Sequence, residues 1–339
     1  MRQNSQTSSR LKAELRRETP TVAVTGCAGF IGSHLVDYFL ARDWRVRGID
    51  DLSSGSRDNL RHALEHPCFE FMEGDCSRSE NADWLCKGAA AVFHLAARVG
   101  VGRVIESPLK TIETNLSCTR AVAESALRHG TVMVFASTSE VYGRNENVPF
   151  SEDDDLSIGP PSVGRWAYAA SKVLDEHYLL ALSREKGLKV TIARPFNTIG
   201  PRQSYSQGMV LPSFIRAALS NGELVVHGRG EQRRCFTWVG DTVEALAALC
   251  CVESSRGKVF NIGSTEEISI AELAAVVIDV CGGGSVRFLP YEGMGPHFAD
   301  MARRVPSVDA IREAIGWQAE TRLREAVERT VLWWKEISG

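Results

Sequence analysis

Residues 22–35 read VAVTGCAGFIGSHL and contain the strongest structural signal in the chain. A short apolar run precedes a turn that contains Gly26, Gly29 and Gly32, and an amphipathic segment follows it. Glycines let the backbone turn tightly and let a pyrophosphate reach the N-terminus of a helix, where free N–H groups attract anions. The stretch therefore predicts a strand, a phosphate-binding turn and a helix.

The segments around this turn alternate between strand and helix patterns. Candidate strands lie at residues 21–25, 45–49, 68–72, 90–95, 132–137 and 189–193, and candidate helices lie at 31–42, 111–129 and 166–186. This alternation is typical of βαβ units and a parallel sheet. Because six strands are enough for two mononucleotide-binding halves, we predict an α/β fold with a doubly wound parallel (Rossmann) sheet.

The pattern changes after residue 198 to loops rich in Gly and Pro, which indicates a smaller C-terminal substrate-binding domain. A strand at 224–227 and helices at 271–281 and 323–336 are expected there, whereas 241–250 and 259–262 are expected to return to the main sheet. The predicted organisation is a flexible arm (1–19), an NAD-binding Rossmann domain (20–198, with 236–263 returning) and a substrate domain (199–235 and 264–339).

Composition narrows the class of partner. The net charge of -3 comes from 39 basic and 42 acidic residues spread along the chain, so we expect no nucleic acid and no membrane partner. Apolar runs stay below the roughly 18 residues of a membrane span. Nine scattered cysteines without C-x-x-C spacing argue against a disulfide framework and against a metal site. These features predict a cytoplasmic protein with a small-molecule substrate and no metal.

Asp50 follows the second predicted strand about 20 residues after the glycine turn, where an acid can accept hydrogen bonds from the adenosine ribose. Its charge would repel a 2′-phosphate, so the sequence favours NAD over NADP. Arg57 lies close enough in sequence to leave NADP open.

Tyr168 and Lys172 are four residues apart in a helical pattern, which places them on one face about 6 Å apart along the axis. Such a pair alone is usually two surface neighbours. However, Ser137 to Glu140 place hydroxyls and a carboxylate just beyond a predicted central strand, where open α/β sheets bind ligands.

The order of these motifs resembles the extended short-chain dehydrogenase/reductase family of nucleotide-sugar enzymes, over residues 21–336. The motifs are the glycine turn, Asp75, Leu95-Ala96-Ala97, Ser137 to Gly143, Tyr168-x-x-x-Lys172 and Arg194-Pro195-Phe196-Asn197. The resemblance implies a tightly bound NAD that oxidises the sugar at C4 and later returns the hydride. It also implies that Tyr168 is the base, that Lys172 favours its phenolate, and that Thr138 holds the C4 hydroxyl.

Further roles come from the same resemblance. Asp75 and Cys76 would border the adenine, and Asn197 and Arg234 would meet the diphosphate, which the Arg fork suits. The implied cofactor-binding set is Gly26, Gly29, Phe30, Ile31, Gly32, Asp50, Asp75, Cys76, Leu95, Ala96, Ala97, Tyr168 and Lys172. The implied substrate-binding set is Arg98, Ser139, Asn197, Arg234 and Arg304.

Glu140 is informative about the reaction, because a carboxylate there suggests chemistry at C5, whereas 4-epimerases usually have a small or neutral residue. Ser139 stands where dTDP-glucose 4,6-dehydratases typically have an acid; GDP-mannose dehydratases share Thr-Ser-Glu but generally prefer NADP. The chain is most similar to bacterial UDP-glucuronate decarboxylases, through residues 137–143, 165–168, 194–197 with 200–202, and 304–307. That group implies UDP-xylose or a UDP-4-ketopentose as product, with Glu140 and the late Arg304 catalytic.

Alternatives remain open at this point. Residues 98–103, Arg-Val-Gly-Val-Gly-Arg, are closer to epimerases than to eukaryotic decarboxylases. An NDP-sugar 4-epimerase is therefore the first alternative and a 4,6-dehydratase the second. A non-catalytic NAD-binding sensor is the least favoured, because Thr138, Tyr168 and Lys172 are all present. The family resemblance also implies a homodimer, with helices 111–129 and 166–186 pairing into a four-helix bundle.

Overall fold

The structure, a computed structural model, describes residues 19–205, 208–290 and 301–338. The predicted N-terminal arm lies outside these residues except for Thr19. The fourteen strands in the described ranges are β1 (Thr21–Thr25), β2 (Arg45–Asp50), β3 (Phe69–Glu73), β4 (Ala91–His94), β5 (Val132–Ala136), β6 (Val190–Pro195), β7 (Thr198–Ile199), β8 (Glu223–His227), β9 (Arg233–Cys235), β10 (Thr237–Trp238), β11 (Lys258–Ile262), β12 (Glu267–Ser269), β13 (Ser285–Leu289) and β14 (Arg303–Arg304).

The α-helices connect these strands. They are α1 (Phe30–Leu40), α2 (Arg61–Leu64), α3 (Ser79–Cys86), α4 (Val101–Glu106), α5 (Pro108–His129), α6 (Trp166–Lys186), α7 (Val210–Leu219), α8 (Val239–Cys251), α9 (Ile270–Cys281), α10 (Asp309–Ile315) and α11 (Leu323–Ser338). No helix in the described ranges combines the length and the apolar character that crossing a bilayer requires.

The central sheet has seven strands in the order β11-β6-β5-β4-β1-β2-β3. Every neighbouring pair is parallel. The strand order reverses between β1 and β4, and open parallel sheets bind ligands in the crevice beyond the carboxyl ends of their strands at such a point. The predicted doubly wound sheet is confirmed, and β11 adds a seventh strand beside β6.

Helices cover both faces of this sheet, as a parallel sheet requires. On one face, Leu35 of α1, Leu246 of α8 and Ile311 of α10 belong to one buried apolar cluster. On the other face, α3, α5 and α6 contribute Leu85, Val122 and Leu179 to a second cluster. The sheet is therefore buried on both sides, and its open edge for a ligand is the end where the strands stop.

A third apolar cluster lies in the C-terminal part of the chain. It joins α7, α9 and α11 through Phe214, Leu273 and Val327. Two small sheets accompany it: the parallel pair β13-β8 and the three-stranded sheet β12-β9-β14. This separate core is compatible with the predicted substrate domain, although the domain boundaries stay a prediction.

Two helices differ from the sequence-based expectation because of proline. Helix α5 begins at Pro108, three residues before the predicted start at Thr111, since proline is favoured at the first position of a helix. Helix α7 was expected as loop, yet Pro212 stands in its first turn, where a backbone N–H has no intrahelical acceptor and proline costs no hydrogen bond.

Candidate active site

A cleft of about 1520 Å³ lies beyond the carboxyl ends of the central strands. It contacts the glycine turn, the loop after β4, the end of β5 and the first turns of α6. All of the cofactor-binding residues expected from the sequence line it: Gly26, Gly29, Phe30, Ile31, Gly32, Asp50, Asp75, Cys76, Leu95, Ala96, Ala97, Tyr168 and Lys172. The structure thus brings this whole set to one surface.

The glycine turn approaches the neighbouring backbone too closely for side chains. Gly26 has a φ of +67°, and a Cβ there would lie 2.9 Å from the backbone N of Ala96. A Cβ on Gly32 would lie 2.1 Å from the carbonyl oxygen of Gly26. Because α1 begins at Phe30 in the lining of the cleft, the N–H groups of its first turn, which have no intrahelical acceptor, lie at this tight turn. This cradle fits a pyrophosphate.

Asp50 fixes the loops at the adenosine end of the cleft. Its Oδ2 accepts a hydrogen bond from the backbone N of Ala28, and its Oδ1 accepts one from Leu52, both at 2.9 Å. Burial raises the pKa of Asp50, and the backbone N–H groups oppose that shift. Arg57, which left NADP open, instead pairs with Glu73 and is absent from the described lining of the cleft. The residues present therefore fit NAD.

Thr138, Tyr168 and Lys172 meet at the floor of the cleft. Thr138 follows β5, whereas Tyr168 and Lys172 lie on successive turns of α6. Lys172 is 1% exposed, and its Nζ donates a hydrogen bond to the carbonyl oxygen of Ala136 at 2.9 Å. This hydrogen bond holds the Lys172 ammonium group at the end of strand β5.

The pKa of Tyr168 is raised mainly by burial and then by the Glu140 carboxylate, while a hydrogen bond with Thr138 acts in the opposite direction. Burial lowers the pKa of Lys172, and the carboxylates of Asp175 and Glu176 partly compensate. The effect of Lys172 on the acidity of Tyr168 stays a prediction. A positive charge bound in the cleft would have to favour the phenolate.

Glu140, Ser139 and Arg304 form a second group beside Tyr168. Nη1 of Arg304 lies 4.0 Å from Oε1 of Glu140 and 3.5 Å from the Ser139 hydroxyl. Ser139 and Arg304 are buried, whereas the Glu140 side chain is 23% exposed and faces the cleft. Because Glu140 also raises the pKa of Tyr168, the carboxylate and the phenol share the same reaction space.

A buried network holds the turn that carries Ser139 and Glu140. Arg194 donates from Nε and Nη2 to both carboxylate oxygens of Glu176, at 3.0 and 2.7 Å. Its Nη1 also donates to the Tyr142 hydroxyl at 2.9 Å, and Ser137 donates to Glu176. The network therefore ties β5, α6 and β6 to the 139–142 turn, which gives the Arg194 motif a positioning role.

Four of the five predicted substrate-binding residues line the cleft. Arg98 and Asn197 line the cleft together with Ser139 and Arg304. Arg234 is absent from the described lining; its Nη1 donates to the carbonyl oxygen of Arg233 at 2.8 Å. Its strand β9 nevertheless pairs with β14 so that Arg234 and Arg304 are direct neighbours. The role of Arg234 stays a prediction.

Arg165 and Cys118 are among the lining residues to which the sequence analysis gave no role. Arg165 is 7% exposed, lines the cleft and precedes Tyr168 by three residues, a spacing that puts both on one helix face. Cys118 of α5 also lines the cleft, and it lies next to Asp75 and Cys76. The helical spacing from Tyr168 could have indicated that Arg165 lines the cleft. No sequence pattern links Cys118 to Asp75, which lies 43 positions earlier.

Fold and cleft together define a nicotinamide-dependent enzyme with a Tyr–Lys pair. Residues 22–263 match the NAD-dependent epimerase/dehydratase family. The chain is 38% identical over 320 residues to a UDP-N-acetyl-α-D-glucosaminuronate decarboxylase of Bacillus cytotoxicus, with 93% of this chain and 98% of that protein covered. It is 32% identical to UDP-glucuronic acid decarboxylase 1 of Xenopus tropicalis, with 94% of this chain and 73% of that protein covered.

A solved structure also matches this chain over nearly its whole length. A UDP-glucose 4-epimerase of Thermotoga maritima, with UDP-glucose bound, superimposes with a TM-score of 0.84 at 28% identity, with 94% of this chain and 100% of that chain covered. The chain belongs to the NAD-dependent epimerase/dehydratase family. The expected family and the NAD cofactor are thereby confirmed.

Proposed function

We propose that this protein is a lyase that decarboxylates a UDP-hexuronate through a C4-keto intermediate. The observation that carries the proposal is the Arg304–Glu140–Ser139 group next to Tyr168, because a 4-epimerase needs no charged pair at C5. The decarboxylase relatives from Bacillus cytotoxicus and Xenopus tropicalis support the same reaction. Their names also suggest two candidate substrates, UDP-N-acetylglucosaminuronate and UDP-glucuronate.

Three residues act in the redox step. Thr138 holds the C4 hydroxyl by a hydrogen bond, and Tyr168 removes its proton. When bound, NAD supplies the electron acceptor and later donor at C4. Lys172, fixed on the Ala136 carbonyl, adds a positive charge that makes the Tyr168 phenolate less costly once the cleft is filled.

Glu140 and Arg304 act after the oxidation. The C4 ketone makes the sugar a β-keto acid, so the C5–C6 bond breaks, carbon dioxide leaves, and the electron pair moves to the C4 oxygen as an enolate. Arg304 orients the C6 carboxylate, and the neighbouring charge of Glu140 keeps that carboxylate from being over-stabilised before it leaves. A proton then adds at C5.

The diphosphate binds where basic residues meet the cleft. Asn197, whose Nδ2 donates to the Cys235 carbonyl at 2.8 Å, is held near β9. Arg304 presents its guanidinium to the cleft, and Arg234 is its neighbour in the adjacent strand. Arg98 and Asn197, which line the cleft, supply the positive and hydrogen-bonding surface that a diphosphate needs. Arg234 would join them from β9, and Arg304 would be left to the sugar carboxylate.

A 4-epimerase is the second candidate function. Its support is the similarity to the epimerase of Thermotoga maritima and the glycine-containing segment after β4, where Gly100 has a φ of +103°. Epimerisation would use the same Thr138, Tyr168 and Lys172.

Incubation of the enzyme with each candidate uronate, followed by mass spectrometry, tests the two functions. We expect loss of carbon dioxide from at least one of UDP-glucuronate and UDP-N-acetylglucosaminuronate, giving a UDP-pentose or a UDP-4-ketopentose. UDP-glucose serves as the control, because it has no carboxylate to lose. Products of unchanged mass that are C4 epimers would replace the decarboxylase by the epimerase.

We expect the protein to be a homodimer. Helices α5 and α6 pack side by side, and they leave Leu109 66% and Leu174 52% exposed, as helices that pair across a two-fold axis would. Light scattering should give twice the chain mass of 37.2 kDa, and Leu174→Glu should shift it toward the monomer. Leu332→Glu, at a leucine with 59% exposure on α11, is the matched control; a wild-type monomer at micromolar concentration would contradict the prediction.

We place the protein in the cytoplasm. All nine cysteines are free thiols, which a reducing compartment maintains.

A further inference from the structure

Two thiols and a carboxylate converge at one end of the cleft. Asp75 and Cys76 follow β3, and Cys118 lies on α5. One ligand atom from each of the three lies within 4.8 Å of the other two, and Sγ of Cys118 is 3.9 Å from Oδ1 of Asp75. Two sulfur atoms and one carboxylate oxygen that could bind a metal thus lie close together.

The position of the group in the cleft gives access from one side only. All three residues line the cleft. Cys76 and Cys118 are 4% and 5% exposed and belong to the apolar core beneath the sheet, whereas Asp75 is exposed. A ligand would enter past the carboxylate and reach the thiols at the boundary of the core.

We propose that Asp75, Cys76 and Cys118 form a binding site for a thiophilic divalent cation of the Zn²⁺ and Cd²⁺ class. Tetrahedral zinc with sulfur ligands at about 2.3 Å requires ligand atoms roughly 3.7 Å apart. The observed separations exceed this by about an ångström or less, so small side-chain rotations close the site. Three protein ligands leave the fourth position open to the cleft.

Proton release accompanies binding. Each thiol loses its proton to solvent as a metal–sulfur bond forms. Binding of one divalent cation therefore releases two protons. The affinity for the cation should therefore fall as the pH falls.

The site lies where the family resemblance places the adenine of NAD, and this part of the inference rests on that placement. A cation held by Asp75 and Cys76 would occupy the space beside the base. NAD and the cation should therefore exclude one another, so that each weakens the binding of the other.

Titration of the full-length protein with Cd²⁺, in a reductant that has no thiol, tests the site through the ultraviolet cadmium–thiolate absorption. We expect one Cd²⁺ per chain and a weaker affinity when saturating NAD is present. Cys118→Ser keeps the size of the side chain and should lower the affinity by at least about tenfold, because even indirect supports of a metal site cost that much. Asp75→Asn, which keeps both thiols, should weaken binding and retain the absorption.

Cys251→Ser is the matched control, because Cys251 is an exposed thiol on α8. It should leave the titration unchanged. Full absorption in Cys118→Ser would overturn the site, and an affinity for Cd²⁺ that saturating NAD does not alter would overturn the overlap. Both measurements need no sugar substrate, so they are separate from any failure of the decarboxylase proposal.

Discussion

Tyr168→Phe is expected to bind NAD normally and to lose turnover by about 10²- to 10⁴-fold, the usual contribution of a positioned acid–base group. The phenylalanine ring keeps the apolar contacts of Tyr168 but cannot take the proton of the C4 hydroxyl. Lys172 remains hydrogen-bonded to the Ala136 carbonyl. Steady-state rates and NAD titration separate catalysis from cofactor binding.

Tyr178→Phe is the matched control on the same helix. The hydroxyl of Tyr178 lies 3.4 Å from Glu124 of α5, and Tyr178 is absent from the described lining of the cleft, so its variant should keep the wild-type rate. A Tyr168→Phe enzyme that retained more than about a tenth of that rate, a loss below ~1.4 kcal/mol in barrier, would show that Tyr168 is not the base.

Glu140→Gln should separate the oxidation from the loss of carbon dioxide. Glutamine keeps the shape of the side chain and removes the charge that lies 4.0 Å from Arg304. We expect the variant still to reduce its cofactor on adding the UDP-uronate, seen as absorbance near ~340 nm, while release of carbon dioxide slows by at least about tenfold, or ~1.4 kcal/mol. Arg304 would then hold the substrate carboxylate too firmly.

Glu146→Gln is the control for this experiment, because Glu146 is exposed a few residues farther along the same segment. It should behave as the wild type. If Glu140→Gln decarboxylates at the wild-type rate, Glu140 has no role after the oxidation. If the wild-type enzyme only interconverts C4 epimers of the uronate, the decarboxylase proposal itself is wrong.

The alternation of short apolar runs with helical patterns predicted the central sheet well, because strands such as β1, β4 and β5 are almost entirely buried and read as continuous apolar runs. Strand β1 has the predicted bounds, and β2 and β5 differ from them by one residue at one end. The C-terminal part was harder, since β9 and β14 are two or three residues long. Such strands carry no period and form only because neighbouring segments supply hydrogen-bond partners.

The site shows the same contrast. The glycine turn and the Tyr–Lys pair depend on local spacing, so the sequence shows both, and the strand-end motif and the family resemblance gave the pair its predicted role. Arg304 meets Ser139 across 165 positions, and only the family resemblance pointed to it. The proximity of Cys118 to Asp75 depends on how α5 packs against the loop after β3, which no spacing rule contains.

The buried Glu176–Arg194 pair constrains how this enzyme can change over evolutionary time. Loss of either partner alone would leave an uncompensated charge in the core and cost about 3–5 kcal/mol, a large part of the stability of an ordinary domain. Replacement of both by apolar residues is energetically tolerable, but it would remove one of the two hydrogen-bond partners of the Tyr142 hydroxyl and leave Asn261 as the other. A single substitution at either position is therefore strongly destabilising. New substrate preferences must arise from residues that face the cleft, such as Arg98 and Arg165, and not from this inner pair.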